Sequence, residues 1–167
     1  MQIIDEKFPQ QKMRYVSQSL LATFVLGYVF LFLDMKSNAA IVASLGASSF
    51  IAFTMPQAQV SRPRFLLGGY IVACIIGTGY HYLLKTLIFW NVDLPPESLV
   101  SMLAAASVGT AIFIMVVFNF EHPPAAGLAL GLVINEWSFK KVIVVLVGIV
   151  LLVAIKALLK PMLKNLL

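Results

Sequence analysis

Charge is scarce in this chain: 11% of its 167 residues are Asp, Glu, Lys or Arg, while 60% are hydrophobic. A soluble domain carries roughly a quarter charged residues and about half apolar ones. The composition therefore excludes an ordinary soluble domain and indicates an integral membrane protein. Cysteine is nearly missing. The lone Cys74 lies in an apolar run, which rules out an intrachain disulfide and a cysteine-based metal site. Histidine occurs only at His81 and His122, and no phosphate-binding loop or nucleophile motif of recognisable spacing is present. No catalytic residue, metal or cofactor is expected. An Arg/Ser-rich transit sequence and a cleavable signal peptide are not evident either. Met1 to Gln11 is polar, and the first apolar run is long enough to remain as a helix. That combination points to a multi-pass protein of a bacterial plasma membrane. The net charge is +5, but the basic residues flank apolar runs, so they suit topology and anionic headgroups rather than nucleic acid.

What is present is mostly oil, in six segments. They run from about Tyr15 to Leu33, Ala39 to Met55, Phe65 to Trp90, Leu99 to Phe120, Pro123 to Ile134, and Val142 to about Leu159. A spanning helix needs roughly 20 apolar residues, and the second and fifth segments fall short of that. The fold expected is an all-α membrane protein, one transmembrane domain over residues 1–167. Lys7, Lys12, Arg14, Arg62, Arg64, Lys160 and Lys164 share one side if both termini are cytoplasmic. The loop Asn91 to Ser98, with no Lys or Arg, then faces out, and Lys36, Lys140 and Lys141 dissent. A re-entrant fifth segment would instead place the C-terminus outside.

The two halves look alike. Asn38-Ala39-Ala40 opens the second segment and Pro124-Ala125-Ala126 opens the fifth, each between two longer runs. Halves of three segments, taken as residues 12–90 and 98–164, would be inserted with opposite orientation. Short helices at matching places in inverted repeats point to a midplane site.

The break before the fifth segment, Glu121-His122-Pro123-Pro124, places an acid, an imidazole and two prolines in this oily chain. Ionisable groups at membrane depth are costly and are functional candidates by default. Together with Leu45-Gly46-Ala47-Ser48-Ser49, Arg62-Pro63-Arg64 and Gly68-Gly69, the run His122-Pro123-Pro124-Ala125-Ala126-Gly127 resembles the HPP family of small integral membrane proteins. The resemblance covers nearly all of the chain from the first apolar run onward. It implies a multi-spanning transport protein, and plastid and cyanobacterial relatives are linked to nitrite transport. The chain departs from the family in carrying Arg62-Pro63-Arg64-Phe65 where Gln-Pro-Arg-Asn is common. It also has Gly69-Tyr70 in place of a Gly-His pair, and Leu128 where a Thr often stands.

Each polar position has a functional and a bland reading. His122 is a gate, proton carrier or anion contact, or else an interfacial helix cap. Pro123 and Pro124 start a helix and leave the Ala125, Ala126 and Gly127 N–H groups for an anion, or simply mark a helix start at the headgroups. Glu121 pairs with His122, Arg62 or Arg64, or is a solvated carboxylate. Ser44, Ser48 and Ser49, with Gly46 and Ala47, form a hydroxyl row facing the fifth segment or a packing face; Asn119 is similar. Arg62 and Arg64 form an anion vestibule or only satisfy the positive-inside bias. His81 and Lys85, four residues apart, form an outer anion-attracting site, or Lys85 snorkels.

The function expected is a transporter or channel for a small inorganic anion, nitrite leading by resemblance, in a homo-oligomer within the lipid bilayer. A structural or regulatory membrane subunit is the alternative, and a membrane-embedded enzyme the third.

Overall fold

A computed structural model describes residues 5, 7–33, 39–91 and 95–166. The polar break at residues 34–38, with Lys36 and Asn38, and residues 92–94 of the loop before the fourth segment lie outside the described residues. The chain forms α1 (Phe8–Leu33), α2 (Ala39–Thr54), a 3-10 turn (Gln59–Ser61), α3 (Pro63–Phe89), α4 (Pro96–Val117), α5 (Pro123–Ile134), α6 (Phe139–Leu159) and a final 3-10 turn (Lys160–Met162). It is all-helical, as expected.

Helix starts follow local chemistry. α3, α4 and α5 each begin on a proline, the residue whose fixed φ and missing N–H suit the first turn. α6 begins after Ser138, whose side chain accepts the Lys141 N–H at 3.3 Å. α4 ends in a Schellman arrangement: Phe120 N–H reaches the Met115 carbonyl, Asn119 N–H reaches that of Val116, and Asn119 sits at φ 57°. Asparagine tolerates this left-handed conformation better than most residues. α1 has a kink at Gln11, where φ is −127° and ψ 23°, so a short opening turn at Phe8 precedes the continuous helix that carries the apolar run.

α1, α3, α4 and α6 are long and apolar enough to cross a membrane. α2 has 16 residues and α5 has 12, spans of about 24 and 18 Å against a hydrocarbon core of about 30 Å. The order long, short, long therefore occurs in each half.

Successive helices alternate in direction. Tyr15 donates to the Leu166 carbonyl, and Gln18 bonds both Phe53 and Lys164. The start of α1, the end of α2 and the C-terminal segment thus share one end, with the Arg62 turn. At the other end Trp137 donates to Thr78. α5 runs away from the Arg62 end and α6 returns to it, so the C-terminal segment lies at the same end as the start of α1, not the opposite end that a re-entrant fifth segment would require.

α5 is enclosed by α2, α3 and α4, and α6 packs on α1, α2 and α3. Between helices in lipid there is little hydrophobic drive, so close packing at small residues carries the association. A side chain on Gly69 would stand 2.7 Å from the His122 Cβ, and one on Gly131 would overlap Ala40. These glycines let α3 and α2 approach α5 closely. The outer faces of α1, α3 and α4 carry exposed Phe24, Phe89 and Phe113, as a lipid-facing surface requires.

The Ala40–Gly131 contact also corrects an expectation. α2 and α5 do meet, but side by side and antiparallel. The start of α2 lies beside the far part of α5, while the start of α5 lies beside Ser48. Antiparallel packing is what oppositely inserted halves require, but the two helix starts are offset along this contact and do not converge on one midplane point.

Candidate functional site

The N-cap of α5 is His122, and it is buried to 1% exposure, with Ser48 and Tyr70 at 0%. Ser48 lies six residues before the end of α2 and Tyr70 seven after the start of α3. At 1.5 Å per residue both place the imidazole about 10 Å inside the bundle. A polar cluster at that depth has only itself for hydrogen bonding.

It is well provided. Ser48 Oγ lies 2.8 Å from His122 Nε2, 2.9 Å from the Tyr70 hydroxyl and 2.9 Å from the Ser44 carbonyl. His122 Nδ1 lies 3.2 Å from the Val60 carbonyl in the 3-10 turn. A carbonyl only accepts, so Nδ1 carries a proton and donates to Val60. In the neutral imidazole Nε2 is then an acceptor. Ser48 donates its single hydroxyl proton to it, and Tyr70 donates to Ser48. If Nε2 gains a proton, it donates to Ser48, and the Ser48 hydroxyl turns to the Ser44 carbonyl. Both protonation states keep a hydrogen bond on each ring nitrogen. The arrangement can hold or release one proton by rotating one hydroxyl.

On its other side His122 borders a cleft of about 350 Å³ between α4 and α5, lined also by Glu121, Met115, Val116, Pro123 and Ala126. Glu121 is half-buried there. Among the described residues it pairs with neither arginine. Arg64 donates to the Phe118 carbonyl at 3.3 Å and lies over the Phe120 ring. Arg62 is exposed and lines a different cavity with Lys156 and Lys160. The paired vestibule of Arg62 and Arg64 is thus divided.

The other expected positions separate in the same way. Ser44 donates back to the Ile41 carbonyl, and the buried Ser49 hydroxyl has no partner. Only Ser48 of the expected row reaches His122. Gly46 faces Leu26 of α1, and Ala47 is exposed, since a helix carries i−1 and i−2 away from the face of residue i. The Ala125 N–H is taken by the His122 carbonyl at 2.9 Å; Ala125 and Ala126 are buried, while Gly127 faces outward. The Ala125 amide is therefore not free to hold an anion. Pro123 is exposed and Pro124 half-buried. Asn119 is exposed, caps α4 and meets Gln59 at 3.4 Å, so it lines no interior path. His81 is buried and stacked on Trp137, ring centroids 6.0 Å apart, whereas Lys85 is exposed. Those two do not make one site.

Tyr70, Val60, Ser61 and Lys156 were not singled out beforehand. Tyr70 had a signal: it fills the position where the resemblance leads one to expect histidine. Lys156 had one too, being a charge inside the last apolar run.

The bundle and its buried polar cluster define a polytopic helical membrane protein with an ionisable group held at depth. The chain belongs to the HPP family: the pattern of the HPP transmembrane region matches residues 6–165. No match was found among curated proteins or among solved structures.

Proposed function

We propose that this protein moves a small inorganic anion across the membrane, with nitrite the leading substrate by family resemblance. The observation that carries the reading is the Ser48–His122–Tyr70 cluster at the contact of the two short helices. A buried imidazole that can take up a proton without losing a hydrogen bond is suited to balance an entering negative charge. The cleft beside Glu121 and His122 supports an approach to it from between α4 and α5. Tyr70 in place of histidine bears on substrate choice, because a phenol donates without becoming cationic.

We read the chain as non-enzymatic. Ser48 touches His122 as a nucleophile touches its base, yet Ser48 has no exposure, sits mid-helix and borders neither the cleft beside His122 nor the cavity of Arg62, Lys156 and Lys160. The basic residues Lys7, Lys12, Arg14, Arg62, Arg64, Lys160 and Lys164 favour a cytoplasmic Arg62 end in a bacterial plasma membrane. Gly27, Gly79 and Gly109 leave open space on the outer surface, which favours close packing with a second copy.

The test is flux of nitrite, nitrate, formate and chloride in proteoliposomes of the full chain. Nitrite flux above that of empty liposomes is expected, and His122→Ala, which removes the imidazole and both its hydrogen bonds, is expected to lower it about tenfold or more. Flux equal to empty liposomes for every anion, in folded and reconstituted protein, would sink the reading.

A further inference from the structure

Lys156 is a buried charge without a carboxylate partner among the described residues. It lies in the last turn of α6, is 8% exposed, and donates to both the carbonyl and the hydroxyl of Ser61, the hydroxyl at 2.6 Å. Both partners are neutral. An ammonium has three protons to donate and a full charge to balance. Ser61 satisfies two of the protons and none of the charge. Burying an uncompensated cation costs several kcal/mol.

Beside it opens a cavity of about 410 Å³. Arg62 and Lys160 line it together with Lys156, Gln57 adds an amide, and Val153 and Leu163 are among its apolar walls. No Asp or Glu lines it. Lys160 follows Lys156 by one helical turn and so shares its face. Pro63, the first residue of α3, also borders the cavity, and that helix has no acidic residue in its first turn to offset its positive end. Three cations around one cavity, one of them buried, give it a positive field that an anion would relieve.

We propose that Arg62, Lys156 and Lys160 form a binding site for one compact oxyanion. Arg62 offers a planar pair of donors suited to an oxyanion edge, and the two lysines supply point charges. The cavity is roomier than a bare inorganic ion, so the oxyanion either brings water or is the phosphate of an anionic phospholipid. The apolar walls at Val153 and Leu163 suit the second source as well as the first. The site rests on this cavity and does not depend on transport. It lies next to the His122 cluster all the same: Val60, whose carbonyl holds His122, is joined to Ser61, which holds Lys156.

Equilibrium binding on the purified full chain tests it, with no flux involved. One arm titrates sodium phosphate and sodium nitrite by calorimetry in neutral detergent at constant ionic strength. The other measures retention of phosphatidylglycerol against phosphatidylcholine by native mass spectrometry. Saturable binding is expected in at least one arm. Lys156→Gln should weaken it about tenfold or more, and Arg62→Gln with Lys160→Gln should do the same. Lys164→Gln, exposed and outside the cavity, should leave it within about twofold. Binding in the first arm identifies a soluble anion as ligand, and binding only in the second identifies a lipid headgroup. The surface pair Arg62 and Lys160 decides the matter if Lys156→Gln does not fold. No saturable binding in either arm, or binding indifferent to both sets of substitutions, overturns the proposal.

Discussion

The two histidines of this chain are both buried, yet they live in opposite surroundings. His122 ends a loop, and each of its ring nitrogens faces a polar atom, Val60 on one side and Ser48 on the other. His81 lies inside α3 against the Trp137 ring. The carbonyls of Leu132 and Val133 are near it but outside hydrogen-bonding geometry, and both its nitrogens are unpartnered. The first can accept a proton and keep its network. The second serves as a flat ring between α3 and the α5–α6 connection. Burial alone therefore does not mark a functional histidine in a membrane bundle; the partners do.

The comparison breaks most sharply in transport. His122→Ala should cut nitrite flux about tenfold or more, while His81→Phe, which keeps a flat apolar ring, should leave it within about twofold. Equal losses in a proteoliposome assay would show that the partners do not distinguish the two sites.

Next in size is the hydroxyl that serves His122. Ser48→Ala leaves the imidazole Nε2 and the Tyr70 hydroxyl without their shared partner, at a cost of about 1–3 kcal/mol. Ser49→Ala, which removes a hydroxyl with no partner, should be neutral or slightly stabilising. Thermal unfolding in detergent reads both, and a larger loss at Ser49 would refute the assignment.

Gly69→Ala forces a methyl against His122 and the Phe120 carbonyl and should cost about 1–3 kcal/mol by overpacking. Gly79→Ala, on the same helix but facing open space, should gain a few tenths of a kcal/mol from helix propensity. The same unfolding measurement checks the pair.

A smaller effect than these losses belongs to the His81 region. Trp137→Phe removes the hydrogen bond to Thr78 and should lower stability by roughly 0.5–1.5 kcal/mol with flux unchanged. A flux loss there would extend the functional region to the far end of the bundle.

Much of the fold was legible beforehand. The fifth segment was placed at Pro123 to Ile134 and the second at Ala39 to Met55, and α5 and α2 begin and end within a residue of those bounds. Proline and glycine punctuate so strongly in an apolar chain that boundaries follow. α4 starts at Pro96, ahead of the apolar run from Leu99, because helix outside the oil leaves no hydropathy signal. The site was legible in part. His122 and Ser48 stand out as polar groups in apolar runs, but Ser44, Ser49 and Asn119 carry the same signal and make their hydrogen bonds elsewhere or none.

By itself the sequence determined the medium, the number of helices, the bounds of the two short ones, and the family. Those depend on local composition and on punctuation by proline, which act within one segment. Only the tertiary structure decided that α2 and α5 lie antiparallel and that Ser48 alone of its row meets His122. It also decided that Arg62 joins Lys156 and Lys160 while Arg64 turns to Phe120. Those outcomes depend on helix rotation and on how closely Gly69 and Gly131 let neighbours approach, and a rotation of 100° per residue turns adjacent, chemically equal side chains to different partners.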